Sequence, residues 1–144
     1  MNYHLSFQKF KNQLLKKKNI FYFFMIIIIF SLDRFSKLKI INQFNGDTLY
    51  INDFINFDLI WNTGIGFGLL SSNSFLLYNF ITIFIGLVVL ILIYIFIISD
   101  KYEKFIYALI VGGALGNFYD RLIYQAVPDF IDLHYNNFHW FTFN

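Results

Sequence analysis

The chain has 144 residues, one domain's worth, and is 58% hydrophobic but only 14% charged, where an ordinary soluble domain carries roughly a quarter charged residues. So few charges cannot cover a water-facing surface, which makes a lipid-facing one the leading class, and a net charge of +2 is too small to argue for nucleic acid as a partner. The absence of cysteine excludes disulfides, a thiol nucleophile and a thiolate metal site.

Residues 1–18 are polar and basic, with Lys9, Lys11, Lys16, Lys17 and Lys18 ahead of the first apolar run. Residues 19–32, "NIFYFFMIIIIFSL", fall short of the ~20 residues that cross a bilayer. The helix is therefore expected to continue through "DRFSKLKII", giving a first span at about 20–41. A basic start before an apolar run also describes a signal peptide. No small-x-small cleavage site follows, and further apolar spans do, so an uncleaved span is expected.

Residues 42–75 are a polar-to-mixed excursion. Within it "NFDLIWN" alternates, Phe57, Leu59 and Trp61 against Asn56, Asp58 and Asn62, with Ile60 breaking the pattern. That predicts a half-buried strand at the membrane surface. Residues 76–98 carry no charge and make a helix of ~34 Å, a clear second span. After "SDKYEK", a third span is placed at 102–121; it is glycine-rich and ends in Asp120 and Arg121. Residues 122–144 are too polar to cross, and no repeat or linker divides the chain, so 1–144 reads as a single membrane domain. Lysines flank the N-terminus and the 99–104 loop, while 42–75 contains no Lys or Arg. The positive-inside rule then puts the N-terminus and that loop in the cytoplasm, and 42–75 and 122–144 outside.

This arrangement collects ionisable and amide residues at one depth near the outer surface: Asp33, Asn62, Asn117, Asp120, Arg121 and Asp129. Such groups are costly in a membrane and are usually paired or functional. "LDRFSK" sets Asp33 and Lys37 one helical turn apart, the spacing of an ion pair. "WNTGIGFGLL" puts Asn62 before Gly64, Gly66 and Gly68, either a turn into the second span or a loop whose backbone meets a peptide. "GGALGNFYDRL" pairs Gly112 with Gly116 for close helix approach, and lines up Gly113, Asn117 and Arg121 at i, i+4, i+8, a face unsuited to lipid. In "VPDFID", Pro128 stiffens the approach to Asp129. Alone, this stretch reads as a helix N-cap with Asp132 in the first turn. His134 and His139, five apart, show no ligand partner at metal spacing, and interfacial hydrogen bonding is the better reading than zinc.

Taken in order, "LDRFSK", "NTGIGFGLL", "GGALGNFYDRL", "VPDFID" and the closing "FN" closely resemble lipoprotein signal peptidase (signal peptidase II). The resemblance runs from about residue 20 to the last residue. It implies an α-helical integral membrane protein of the bacterial inner membrane. Three transmembrane helices of the family's four are present here. A small extracytoplasmic β cradle follows the first, and a short periplasmic helix follows the third. It implies an aspartic endopeptidase without metal or cofactor. The substrate would be a prolipoprotein whose cysteine carries diacylglycerol, the surroundings membrane lipid, and the inhibitor a globomycin-type peptide. Matched residue by residue, Asp129 is a catalytic aspartate. Asp33, Lys37, Asn62, Gly64, Asn117, Asp120, Arg121 and Asn144 support it or bind substrate. In the family "FN" is followed, after one residue, by Ala-Asp, whose aspartate is the second catalytic carboxylate. These 144 residues stop at Asn144, so the second carboxylate and the fourth span are expected to be missing, and this length of chain to be inactive. The alternative is a non-enzymatic membrane protein, such as a transporter subunit or a helix-packing partner, in which Asn62, Asn117 and Asp129 need not converge.

Overall fold

The computed structural model describes residues 17–43, 48–65, 69–71 and 74–144. Lys9, Lys11, Lys16, Gly66 and Gly68, all used in the sequence reading, lie outside the described residues. Three long helices are present, α1 (Lys17–Gln43), α2 (Phe75–Ile98) and α3 (Lys101–Tyr124). Four strands complete the fold, β1 (Leu49–Asn52), β2 (Ile55–Asn62), β3 (Val127–Tyr135) and β4 (Phe138–Phe143).

The helices form because Ile, Leu and Phe fill them and no proline interrupts them. Their ends are marked. Ser99 closes α2, its backbone N–H and its hydroxyl both donating to the Ile95 carbonyl, at 2.9 and 2.6 Å. Gln125 takes φ 56°, the left-handed turn that ends an α-helix. Among the described residues, α1 from Asn19 and α2 are long and apolar enough to cross a bilayer. α3 has the length, but Lys101, Glu103, Lys104, Asp120 and Arg121 occupy its two ends. Apolar side chains face outward: Phe21, Ile27, Leu76, Phe80 and Leu90 are all exposed, as expected where lipid is the solvent.

α3 packs against both α1 and α2. Near one end of the bundle, Tyr22, Ile26, Phe96, Ala108 and Val111 form the apolar core. The Tyr22 hydroxyl donates to the Lys101 carbonyl at 3.1 Å, and Phe23 meets Phe96 edge to face. Close approach of α1 and α3 needs Gly112, where a Cβ would stand 2.7 Å from the Ile29 Cβ. The small-residue pair read from the sequence does seat one helix on another.

At the opposite end lies one antiparallel sheet in the order β1-β2-β3-β4. It is two hairpins stitched together by β2 and β3. In the first, the Asn52 side chain accepts from the backbone N–H groups of Phe54 and Ile55, a local turn. In the second, Asn136 turns the chain with φ 51°. The short helix expected after the third span is not there: from Val127 onward the chain is a β-hairpin. Neither Asp129 nor Asp132 caps a helix. The sequence carries the reason, since Val, Ile, Phe, Tyr and Trp flank an Asn-Asn turn, and these residues favour a pleated, half-buried surface. Pro128 is tolerated because β4 pairs only with Ile131 to Tyr135, leaving the Pro128 stretch of β3 an edge on that side.

The predicted strand "NFDLIWN" forms as β2, but its most buried residues are polar. Asn56 and Asn62 are buried, whereas Ile60 and Trp61 are 46% and 42% exposed. The break at Ile60 is also real. Phe57 pairs with Ile131 and Ile60 with Asp129, so two residues of β2 stand opposite Phe130. This bulge flips the alternation, placing Asn62 on the same face as Asp129 and Asn56 on the same face as Asp132.

Candidate active site

Where α1 and α3 reach the sheet, "LDRFSK" faces "GNFYDR". Lys37 is wholly buried. Its ammonium lies 2.8 Å from the Asp33 carboxylate, and donates to Asn117 Oδ1 at 2.6 Å and Asp120 Oδ2 at 2.8 Å. Arg34 pairs with the other oxygen of Asp120, its guanidinium over the Tyr119 ring at 4.8 Å. Two carboxylates and two cations thus neutralise one another at the helix ends, which is what makes such burial tolerable. Gly116 is the condition for it, because a Cβ there would sit 2.2 Å from Asp33 Oδ2.

One turn further along α3, Arg121 joins this cluster to the loop after β2. Its Nη2 donates to the Gly64 carbonyl at 2.7 Å and its Nη1 to the Asn117 carbonyl at 3.3 Å. The Tyr78 hydroxyl of α2 donates to the Arg121 carbonyl at 2.6 Å. Gly64 is packed tightly: a Cβ would lie 2.2 Å from the Leu69 carbonyl oxygen. Its N–H donates to Asn62 Oδ1 at 2.9 Å.

Asn62 then turns toward β3. Its Nδ2 donates to the Ile65 carbonyl at 3.0 Å and to Asp129 Oδ2 at 2.8 Å. The second oxygen of Asp129 accepts from Asn144 Nδ2 at 2.6 Å. Asp129 is 6% exposed, and among the described residues no cation forms an ion pair with it. Its two oxygens are each held by the NH2 group of a neutral side-chain amide, a group that only donates.

All nine residues singled out from the sequence therefore fall on one connected polar path. It runs from Asp33 through Lys37, with Asp120 attached, to Asn117, Arg121, Gly64, Asn62, Asp129 and Asn144. Two participants were missed. Arg34 has no role in the sequence reading, although its place beside Asp33 was a signal. Tyr78 lay in a charge-free apolar run, where its hydroxyl was the sole clue. Of the predicted face, Asn117 and Arg121 join the path, whereas a Cβ on Gly113 would meet nothing within 4 Å.

Asp132 stands apart, on the other face of β3. There it lies 2.7 Å from His139 Nδ1 and 3.8 Å from His134 Nδ1. His139 is hydrogen-bonded, as the sequence reading expects, and its partner Asp132 comes from the fold and not from the spacing of the histidines.

Comparison with known proteins bears on the family and the fold. The family model described as signal peptidase (SPase) II matches residues 25–144. A lipoprotein signal peptidase of Pelagibacter ubique is 49% identical over 122 residues, covering 83% of this chain and 74% of its own. One from Francisella tularensis subsp. mediasiatica is 38% identical, covering 90% and 84%. Among solved structures, a bacterial membrane enzyme determined by the in meso method at 2.3 Å superimposes with a TM-score of 0.69 at 26% identity, covering 84% of this chain and 76% of that one. Another, at 1.9 Å, gives 0.64 at 27% identity, covering 82% and 80%.

Proposed function

The chain belongs to the signal peptidase II family, the lipoprotein signal peptidases of bacterial membranes, and we propose that it works as an aspartic endopeptidase of the cytoplasmic membrane. Its substrate is a prolipoprotein with a diacylglyceryl-cysteine, cut just before that cysteine. The observation that carries the reading is Asp129, buried, free of any ion pair, with each oxygen held by one amide. A structural carboxylate at this depth would be expected to pair with a cation, as Asp33 and Asp120 do.

The chemistry needs a second carboxyl group. The family pattern supplies it after "FN" and one further residue, as Ala-Asp. Asn144 touches Asp129, so backbone continuing from Asn144 starts beside that carboxylate. Two close carboxyl groups share one proton. Asp129 takes a proton from water while the water oxygen attacks the scissile carbonyl carbon, and the protonated partner gives its proton to the carbonyl oxygen. As the resulting diol collapses, Asp129 returns its proton to the departing cysteine nitrogen and a diol proton goes back to the partner. Asn62 and Asn144 keep Asp129 aimed through both steps. Arg121, by fixing Gly64, holds the loop that bears Asn62 and whose backbone is suited to meet the peptide.

α1 leaves, α2 enters and α3 leaves at the sheet end of the bundle. With the lysines of the N-terminus and the 99–104 loop on the cytoplasmic side, the site faces outward, where the lipidated cysteine lies at the headgroups. Globomycin-type peptides would compete there. A non-enzymatic helix-packing partner has no need for the Asn62–Asp129–Asn144 contact.

The test is cleavage of a diacylglyceryl-modified prolipoprotein in detergent. A chain extended through the Ala-Asp should cut it, and Asp129→Asn should lower kcat by at least about 10³-fold. The 144 residues alone, holding one carboxylate of the pair, should be inactive. Undiminished turnover by Asp129→Asn would sink the assignment; turnover by the 144-residue chain would sink the need for the second aspartate.

A further inference from the structure

The face of β3 that turns away from Asp129 carries a second constellation. His134 and His139 are direct cross-strand partners on β3 and β4, and their rings stack with centroids 5.3 Å apart at 22°. Asp132 precedes His134 by two residues, so it emerges on the same face. One ligand atom each from Asp132, His134 and His139 lies within 4.8 Å of the others. Asp132 and His134 are 4% and 5% exposed. His139 Nδ1 and His134 Nδ1 both approach Asp132 Oδ2.

The chemistry of this group is incomplete as it stands. His134 Nδ1 is buried with no hydrogen-bond partner, and so is Asn56 Oδ1. Asn56 is the β2 residue directly opposite Asp132, so its side chain rises on the same face, with Cβ atoms roughly 5 Å apart. Two orphaned atoms thus flank one carboxylate and a second histidine. A buried atom of this kind has a desolvation cost that a partner normally offsets. Hydrogen bonding of Asp132 to His139 leaves both atoms unmatched.

We propose that Asp132, His134 and His139 bind a divalent transition-metal ion of the zinc class, outside the peptidase site. Two imidazole nitrogens and one carboxylate oxygen are a frequent donor set for such an ion, with a fourth position left to water. Asn56 Oδ1 is the acceptor for that water. Ligand atoms around tetrahedral zinc stand roughly 3.4 Å apart at bond lengths of ~2.0–2.1 Å. The widest separation must therefore close by about 1.4 Å while the 2.7 Å His139–Asp132 contact opens, and the exposed ring of His139 can swing to do both. The ion would clasp β4 to β3. Because β4 ends at Phe143, next to Asn144, which holds Asp129, it would also steady the strand that positions the peptidase carboxylate.

The experiment is titration of untagged protein in detergent with Zn²⁺ alone, in competition with a chromophoric chelator. Co²⁺ serves as a spectroscopic probe. The expected result is one saturable site, tetrahedral-type Co²⁺ absorption, and a Zn²⁺-dependent rise in the thermal midpoint. His134→Ala and His139→Ala should each weaken binding by at least tenfold, and Asn56→Leu by about tenfold. His139→Ala, at an exposed position, should fold, and circular dichroism checks each variant. No saturable binding, or binding unchanged in the His134→Ala/His139→Ala double variant, overturns the proposal. The readout is metal binding, so it is independent of whether the chain cuts prolipoprotein.

Discussion

The two ends of the polar path are built on opposite principles. Between α1 and α3, Lys37 has three oxygen partners, and Asp33, Asp120, Arg34 and Lys37 balance to zero charge. On the sheet, Asp129 has two amide partners and, among the described residues, no countercharge in contact. The first arrangement removes reactivity, since each carboxylate there is engaged by a cation. The second keeps a carboxylate buried, aimed and available. The difference separates a group that holds helices together from the one to which the proposed chemistry is assigned, although both began as acidic residues in an apolar chain.

That contrast can be broken most forcefully at Lys37. Lys37→Met leaves Asp33 and Asp120 to share Arg34 in a buried setting, and should cost about 3–5 kcal/mol in denaturant unfolding in detergent. A cost below 1 kcal/mol would mean the cluster is not the keystone its burial implies. Next, Gly116→Ala forces a Cβ onto the Asp33 carboxylate and should destabilise by about 1–3 kcal/mol, read as a lower thermal midpoint. Asn62→Ala removes its bonds to Gly64, Ile65 and Asp129 and should cost about 1–2 kcal/mol, with a larger loss of cleavage than of stability. Asp129→Asn keeps the shape but sets one NH2 donor against another, and should cost about 1–2 kcal/mol while removing activity. An equal fall in both would erase the distinction drawn here. Gly113→Ala is the smallest effect and of opposite sign. One residue from Gly112, where a Cβ would strike Ile29, it faces open space, and should stabilise α3 by up to about 1 kcal/mol.

The three long helices were legible because their signal is local: apolar runs of the required length, read without knowing any neighbour. The site residues were legible for another reason. Asn, Asp, Lys and Arg are expensive in an apolar chain, so their presence at one depth already demanded an explanation, and the family order named them. The hairpin of β3 and β4 was missed. "VPDFID" was read as a helix cap from its own residues, while the partner that makes it a strand, β2, lies more than sixty residues earlier.

Composition, hydropathy and motif order by themselves determined that this chain is a membrane protein of the signal peptidase II family, and singled out polar residues that the fold brings together. Only the tertiary structure decided how they divide. It placed Asn62 and Asn56 on opposite faces through a one-residue bulge. It also gave Asp129 amides and Asp120 cations, and brought His134 and His139 to Asp132. Each outcome depends on strand register and on helices meeting across a glycine, contacts between distant segments that a linear pattern does not encode.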